Sequence, residues 1–199
     1  MHSQPCSISR PAPHPPQPRA LATLPARCVA IALLLAVAVL PAARAAGAPL
    51  GDEQILAIYI QANGFDIEAG LLGKSQGRAP EVRALAAHVV SDHLGVRQGA
   101  YDLAAACKVR VVLPEDRESA AIEHGKVMTK LLALSGSKFD KAYLQYAVAS
   151  HQAAIDAVRS LLTPAARCAD LAAHLRAVLP AFEHHLAETR RVAAVVAGR

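Results

Sequence analysis

The chain has 199 residues, with 21 Lys and Arg against 16 Asp and Glu, four cysteines, no tryptophan and only 4% aromatic residues. Arg10, Arg19, Arg27 and Arg44 lie in the first 45 residues, which hold no acid, so the remainder carries 17 basic residues against 16 acids, a net charge of +1. That balance, with no cluster of basic and aromatic side chains, excludes the electrostatic footprint of a nucleic-acid binder.

Residues 1–45 read as an export signal. A basic, proline-rich segment leads into the uncharged run Cys28 to Leu40, 13 residues long, which falls short of the roughly 20 needed to span a bilayer. Pro41 stops the run, and Ala43-Arg44-Ala45 places small residues where a signal peptidase reads. Cleavage is expected after Ala45, leaving no stable membrane span and sending the protein out of the cytoplasm, to the periplasm. Cys28 precedes the apolar run, which argues against a lipoprotein anchor. Residues 46–199 then suit a single domain with its own core.

That domain reads as all-α, because helix punctuation recurs and no segment alternates apolar and polar residues for long. Asp52 is the expected N-cap of a first helix carrying Ile55, Ile58, Tyr59, Ala62, Phe65, Ala69 and Leu72 at helical spacing, closed at Gly77. Pro80 opens a second, whose stripe runs Val82, Leu85, Val89, Asp92/His93, Val96, Ala100 and Leu103 and which fades near Cys107. Lys108 to Leu113 read as extended. Pro114, with Glu115, Asp116 and Glu118, starts a helix ending at Leu134. Gly136, Ser137 and Asp140 resemble a C-cap followed by a capping box, opening a helix to about Leu162. The last helix begins between Pro164 and Asp170 and carries Leu171, Leu175, Val178, Phe182, His185, Thr189, Val192 and Val196; Pro180 is expected to kink or break it.

Helical over about 20 residues, the segment from Pro114 to Leu134 rises roughly 30 Å, enough to run along most of a bundle. It is read as a crossover between two helical hairpins, which is the wiring of a ferritin-like four-helix bundle with one additional helix in the crossover. The wiring brings the end of the second helix and the start of the last to one end of the bundle, so a Cys107–Cys168 disulfide is expected. Closing about 61 residues stabilises by about 4 kcal/mol in the chain-entropy model.

Six features recur in order between Asp52 and Val196: Glu68 in IEAGLLG, VVSDHL at Val89 to Leu94, LP at Leu113-Pro114, LSGSKFDKAY at Leu134 to Tyr143, ASHQAA at Ala149 to Ala154 and LPAFEHHL at Leu179 to Leu186. On these the chain resembles the exported ferritin-like family catalogued as domain of unknown function 4142. The resemblance implies the fold and export, and no activity. Where relatives tend to show Asp-His, this chain has Ser150-His151, one carboxylate fewer.

Glu68, Asp92, His93, His151 and His185 fall on inward stripes of four helices, and such residues delivered by separate helices are how bundles hold transition metals. No acid precedes His93, His151 or His185 by three residues, which disfavours a carboxylate-bridged di-iron centre. Inward His and Asp can instead bond to one another and set helix register. The pairs His184/Glu188 and His88/Asp92, with His124 and His174, read as surface or boundary residues, and Tyr143 and Tyr146 as core aromatics. Glycine-rich phosphate loops and nucleophile elbows are absent from the sequence. Two readings follow. The first is a non-catalytic exported helical domain acting in envelope stress or as a binding module. The alternative is a periplasmic metal-binding or oxidant-handling protein that uses the inward His, Glu and Asp.

Overall fold

The computed structural model describes residues 49–198; the expected signal segment and its cleavage point lie outside them. Five long helices and no strand occur among the described residues: α1 (Asp52–Gln76), α2 (Pro80–Ala106), α3 (Arg117–Leu132), α4 (Gly136–Ala157) and α5 (Ala169–Ala197). None is long and apolar enough to cross a membrane.

Helix direction follows from the side chains that meet. Asn63 bonds to His93 and Ser150 to Asp66, while Asp92 bonds to His185 and Cys107 to Cys168. Gly73 lies against Ala86 and Tyr143. Helix α1 therefore runs antiparallel to α2 and to α4, and α2 runs antiparallel to α5. Helices α2 and α4 consequently point the same way, which obliges the chain between them to return along the length. It does so through α3, which lies parallel to α1: Arg117 reaches Gln61 and His124 reaches Glu68.

Two apolar clusters fill the interior. Ile55, Leu56, Tyr59, Ala100, Ala104, Ile155, Leu171 and Leu175 belong to one; Ala69, Val82, Leu85, Val89, Phe139, Tyr143, Leu144 and Val192 belong to the other. Along α1, α2, α4 and α5 alike, the residues of one cluster give way to buried polar residues before the other begins. That intervening layer consists of Asn63, Asp66, His93, His151, His185 and Thr189. Close approach of α1 to its neighbours depends on Gly73, where a Cβ would stand 2.6 Å from Cζ of Tyr143 and 2.9 Å from Cβ of Ala86.

Several terminal devices differ from the sequence expectation. The N-cap of α1 is Gly51; the Asp52 carboxylate instead accepts the N–H groups of Arg167 and Cys168, at 2.8 and 2.9 Å. It thus ties the residues that lead into α5 to the start of α1. Asp140 forms no capping box either. Both its oxygens accept backbone N–H groups from the α1–α2 turn, Arg78 at 2.8 Å and Ala79 at 2.9 Å, while Gly136 enters α4 with φ +61°. Helix α4 passes at Val158–Leu162 into a π-helical turn. Pro180 does not break α5: the Arg176 carbonyl that loses its helical donor belongs to an exposed residue, where water can serve it. Cys107 and Cys168 are bonded as expected, with Cα atoms 5.9 Å apart.

Candidate metal centre

Three histidine rings from three helices occupy the polar layer. The rings of His93 (α2), His151 (α4) and His185 (α5) stand in a nearly equilateral triangle, with centroid separations of 5.5, 5.6 and 5.6 Å. All three side chains are buried, at 2–3% exposure. Helix α1 supplies the fourth wall through Asn63 and Asp66, also buried.

The hydrogen bonds fix which nitrogen of each ring carries the proton. The Asn63 amide donates to the Tyr59 carbonyl at 2.8 Å, which turns its Oδ1 toward His93; Nδ1–H of His93 donates to that oxygen at 2.8 Å. In His151, Nδ1–H donates to the Ala147 carbonyl at 2.8 Å. In His185 it is Nε2–H that donates, to Oδ2 of Asp92 at 3.1 Å. The opposite nitrogens, Nε2 of His93, Nε2 of His151 and Nδ1 of His185, are buried and have no hydrogen-bond partner among the described residues. Each ring is thus oriented by one N–H bond to an oxygen and left with an unengaged lone pair, the arrangement a metal-ligating histidine requires.

Electrostatics agree with neutral rings at His93 and His185. Burial lowers the pKa of His93 to about 3, with His151 and His185 adding to the effect. His185 is lowered chiefly by burial and then by His151, against an opposing pull from Asp92. Burial raises the Asp66 carboxyl above the ordinary carboxylate range, against the attraction of His151 and a hydrogen bond from the Ser150 hydroxyl; that bond spans 3.0 Å. Asp66, His93 and His151 each offer one ligand atom within 4.8 Å of the others. His185 lies outside this tightest set as the third corner of the ring triangle.

Of the residues expected from sequence, His93, His151 and His185 come together, and Glu68 does not join them. It is exposed and pairs with His124 at 3.0 Å, because it projects about two hundred degrees round the helix from Asp66. Asp92 is exposed and backs His185 from outside; the same oxygen lies 3.2 Å from Nε2 of His88, whose Nδ1 is 3.5 Å from Glu188. Glu188 therefore pairs across to α2, and with Arg191 at 3.6 Å, while His184 is exposed.

His124 is buried, contrary to the expectation of a surface or boundary residue. It stacks on Phe65 with centroids 4.1 Å apart, and both its nitrogens are engaged: Nε2–H donates to Glu68, and Nδ1 accepts from the Tyr146 hydroxyl at 3.2 Å. Asn63 and Asp66 went unrecognised in the sequence. Their signal was the spacing of Tyr59, Asn63, Asp66, Gly70 and Gly73, a helical stripe that reads as polar and small.

Comparison with known proteins agrees with the sequence resemblance. The family model described as Domain of unknown function (DUF4142) matches residues 37–192, and the chain belongs to that family. The chain matches none of the curated proteins and none of the solved structures with which it was compared.

Proposed function

We propose that this member of the family is an exported, metal-binding protein of ferritin-like wiring. It holds one divalent transition-metal ion through Asp66, His93 and His151, with His185 closing the set. The observation that carries this reading is the trio of buried ring nitrogens with unengaged lone pairs. Leaving a buried polar atom unsatisfied costs about 1–3 kcal/mol, and three such atoms on rings whose centres lie 5.5–5.6 Å apart are hard to account for as packing. A metal ion would engage all of them.

Geometry favours the same reading. With nitrogen about 2.1 Å from the metal, three imidazoles radiating from one ion have ring centres about 5.2 Å apart in a tetrahedral site and about 5.5 Å in a trigonal one. The observed triangle needs only slight contraction. Three imidazoles and one carboxylate suit zinc, copper, nickel or iron better than magnesium or calcium. A single inner carboxylate argues for one ion over a bridged pair.

His124 argues against a mere register network, the core of the envelope-domain reading. It is a buried histidine with a structural task, and both its nitrogens are satisfied; the three inner rings are each satisfied on one side only. Export is supported by the signal-like leader and by a disulfide, which belongs in an oxidising compartment.

The test is metal analysis of protein recovered from the periplasm without chelator. One ion per chain is expected, on a mature chain beginning near Ala46. Asp66→Asn and His93→Ala should each lose the ion with helix content intact, and Glu68→Ala should keep it. Protein offered excess metal that takes up no stoichiometric ion, or His93→Ala that retains it, would overturn the proposal.

A further inference from the structure

We infer that the α1/α4 side of the histidine cluster admits a small uncharged diatomic molecule, of the size of dioxygen or nitric oxide, to the proposed metal from the side of Asp66 and His93. The inference rests on the metal reading above and is carried by a cavity that the reading does not use.

Beside the cluster lies a chamber bounded by Tyr59, Ala62, Val158, Leu162 and Phe182, with Asn63, Asp66 and His93 as its polar edge. About 40 Å³ of it is open to the centre of a water-sized sphere. A single water needs roughly 10–15 Å³ by that measure, so the space suits two or three non-hydrogen atoms and no larger substrate. Its exposed lining is almost entirely carbon. A carbon-lined space favours apolar guests over charged ones. An anion would lose its hydration there with no basic side chain to receive it, since no Lys or Arg among the described residues lines the chamber.

The chamber adjoins a groove at the surface. An outer groove of about 400 Å³ beneath α3 shares Ile58, Ala62, Asp66, Ala154 and Ala157 with it, so three alanines stand where the two meet. The groove is itself mostly apolar, with Phe65 and Val127 among its walls. On the opposite side of the cluster, between α2 and α5, a separate groove leads past Asp92 to His93 and His185. A carboxylate suits that side to a cation and the carbon-lined side to an uncharged guest. Two of the chamber's walls, Val158 and Leu162, come from the π-helical turn. Such turns recur at functional sites, where they reshape a helix around a ligand.

Two probes test this on the whole mature protein. Xenon reports the chamber without reference to metal: the methyl resonances of Val158 and Leu162 should shift saturably with xenon pressure. Nitric oxide reports access to the metal: Fe(II)-loaded protein should form a nitrosyl adduct visible by electron paramagnetic resonance. Ala157→Leu adds three carbons at the neck, and Ala154→Val does so more gently should the first variant fold poorly. Either is expected to abolish the xenon shifts and to weaken nitric oxide binding at least tenfold, with iron stoichiometry unchanged. Methyl resonances indifferent to xenon, or unchanged nitric oxide affinity in a filled variant that still holds iron, would overturn the inference alone. Refusal of Fe(II) by the wild type also overturns it, and if Zn(II) is refused as well the metal reading falls with it.

Discussion

Acid should destabilise the metal-free protein through His93, by an amount that can be worked out. Its pKa in the fold is lowered to about 3 by burial and by the neighbouring His151 and His185, against about 6.5 in the unfolded chain. Between those values the unfolded state holds a proton that the folded state refuses. The contribution of His93 to stability is therefore complete above the unfolded pKa and is lost as pH falls toward the folded one. Taking one group with pKa values of about 3 and about 6.5, the loss between pH 7 and pH 5 comes to about 2 kcal/mol. His185, lowered mainly by burial, acts with the same sign. Asp66 acts with the opposite sign: its raised pKa makes the folded state take up a proton above the ordinary carboxylate range. Both remain in His93→Gln, which keeps a neutral polar side chain and cannot titrate. Urea unfolding in chelator at pH 7 and pH 5 isolates the term. The wild type should lose about 2 kcal/mol more than His93→Gln over that interval. Parallel losses would refute the claim that the fold stores His93 as a neutral ring.

Three further outcomes follow from the packing. Asp140→Ala strands the N–H groups of Arg78 and Ala79 and should lower unfolding free energy by about 3 kcal/mol, with Asp140→Asn, which keeps one acceptor oxygen, costing about half as much; denaturant titration of the pair gives the series. Gly73→Ala forces a methyl against Tyr143 and Ala86, and the usual overpacking range predicts a loss of about 1–3 kcal/mol by the same assay. Removing the Cys107–Cys168 bond with Cys107→Ser should cost up to about 4 kcal/mol, read as a lower thermal midpoint that added reductant no longer moves.

How far the site was legible depends on which signal each helix carries. Helices α2, α4 and α5 pack stripes of large apolar residues inward, so a histidine on the stripe announces itself; His93, His151 and His185 were recognisable for that reason, and their burial follows from it. The disulfide was legible because it depends only on which helix ends meet, and α3 runs in the direction that makes them meet. Helix α1 is different. Its large residues Ile58 and Phe65 line the groove under α3, while its innermost stripe past Tyr59 is Asn63, Asp66, Gly70 and Gly73, four residues with little or no apolar bulk. The glycines are there because α2 and α4 come too close for a Cβ, and the polar pair is there because one orients His93 and the other meets Ser150. A hydrophobic periodicity therefore points α1 toward its third helix and rotates Glu68 inward in place of Asp66. The stripe is displaced by about one residue, some hundred degrees, and the carboxylate by two residues, some two hundred degrees, at the position where the carboxylate of the centre belongs. Packing so tight that it needs glycine, together with polar groups that must face inward, removes the apolar signal from the stripe nearest the chemistry. The same two features, glycines at heptad-like spacing and an Asn three residues before an Asp, are what locate that stripe once they are read as constraints on approach and on hydrogen bonding.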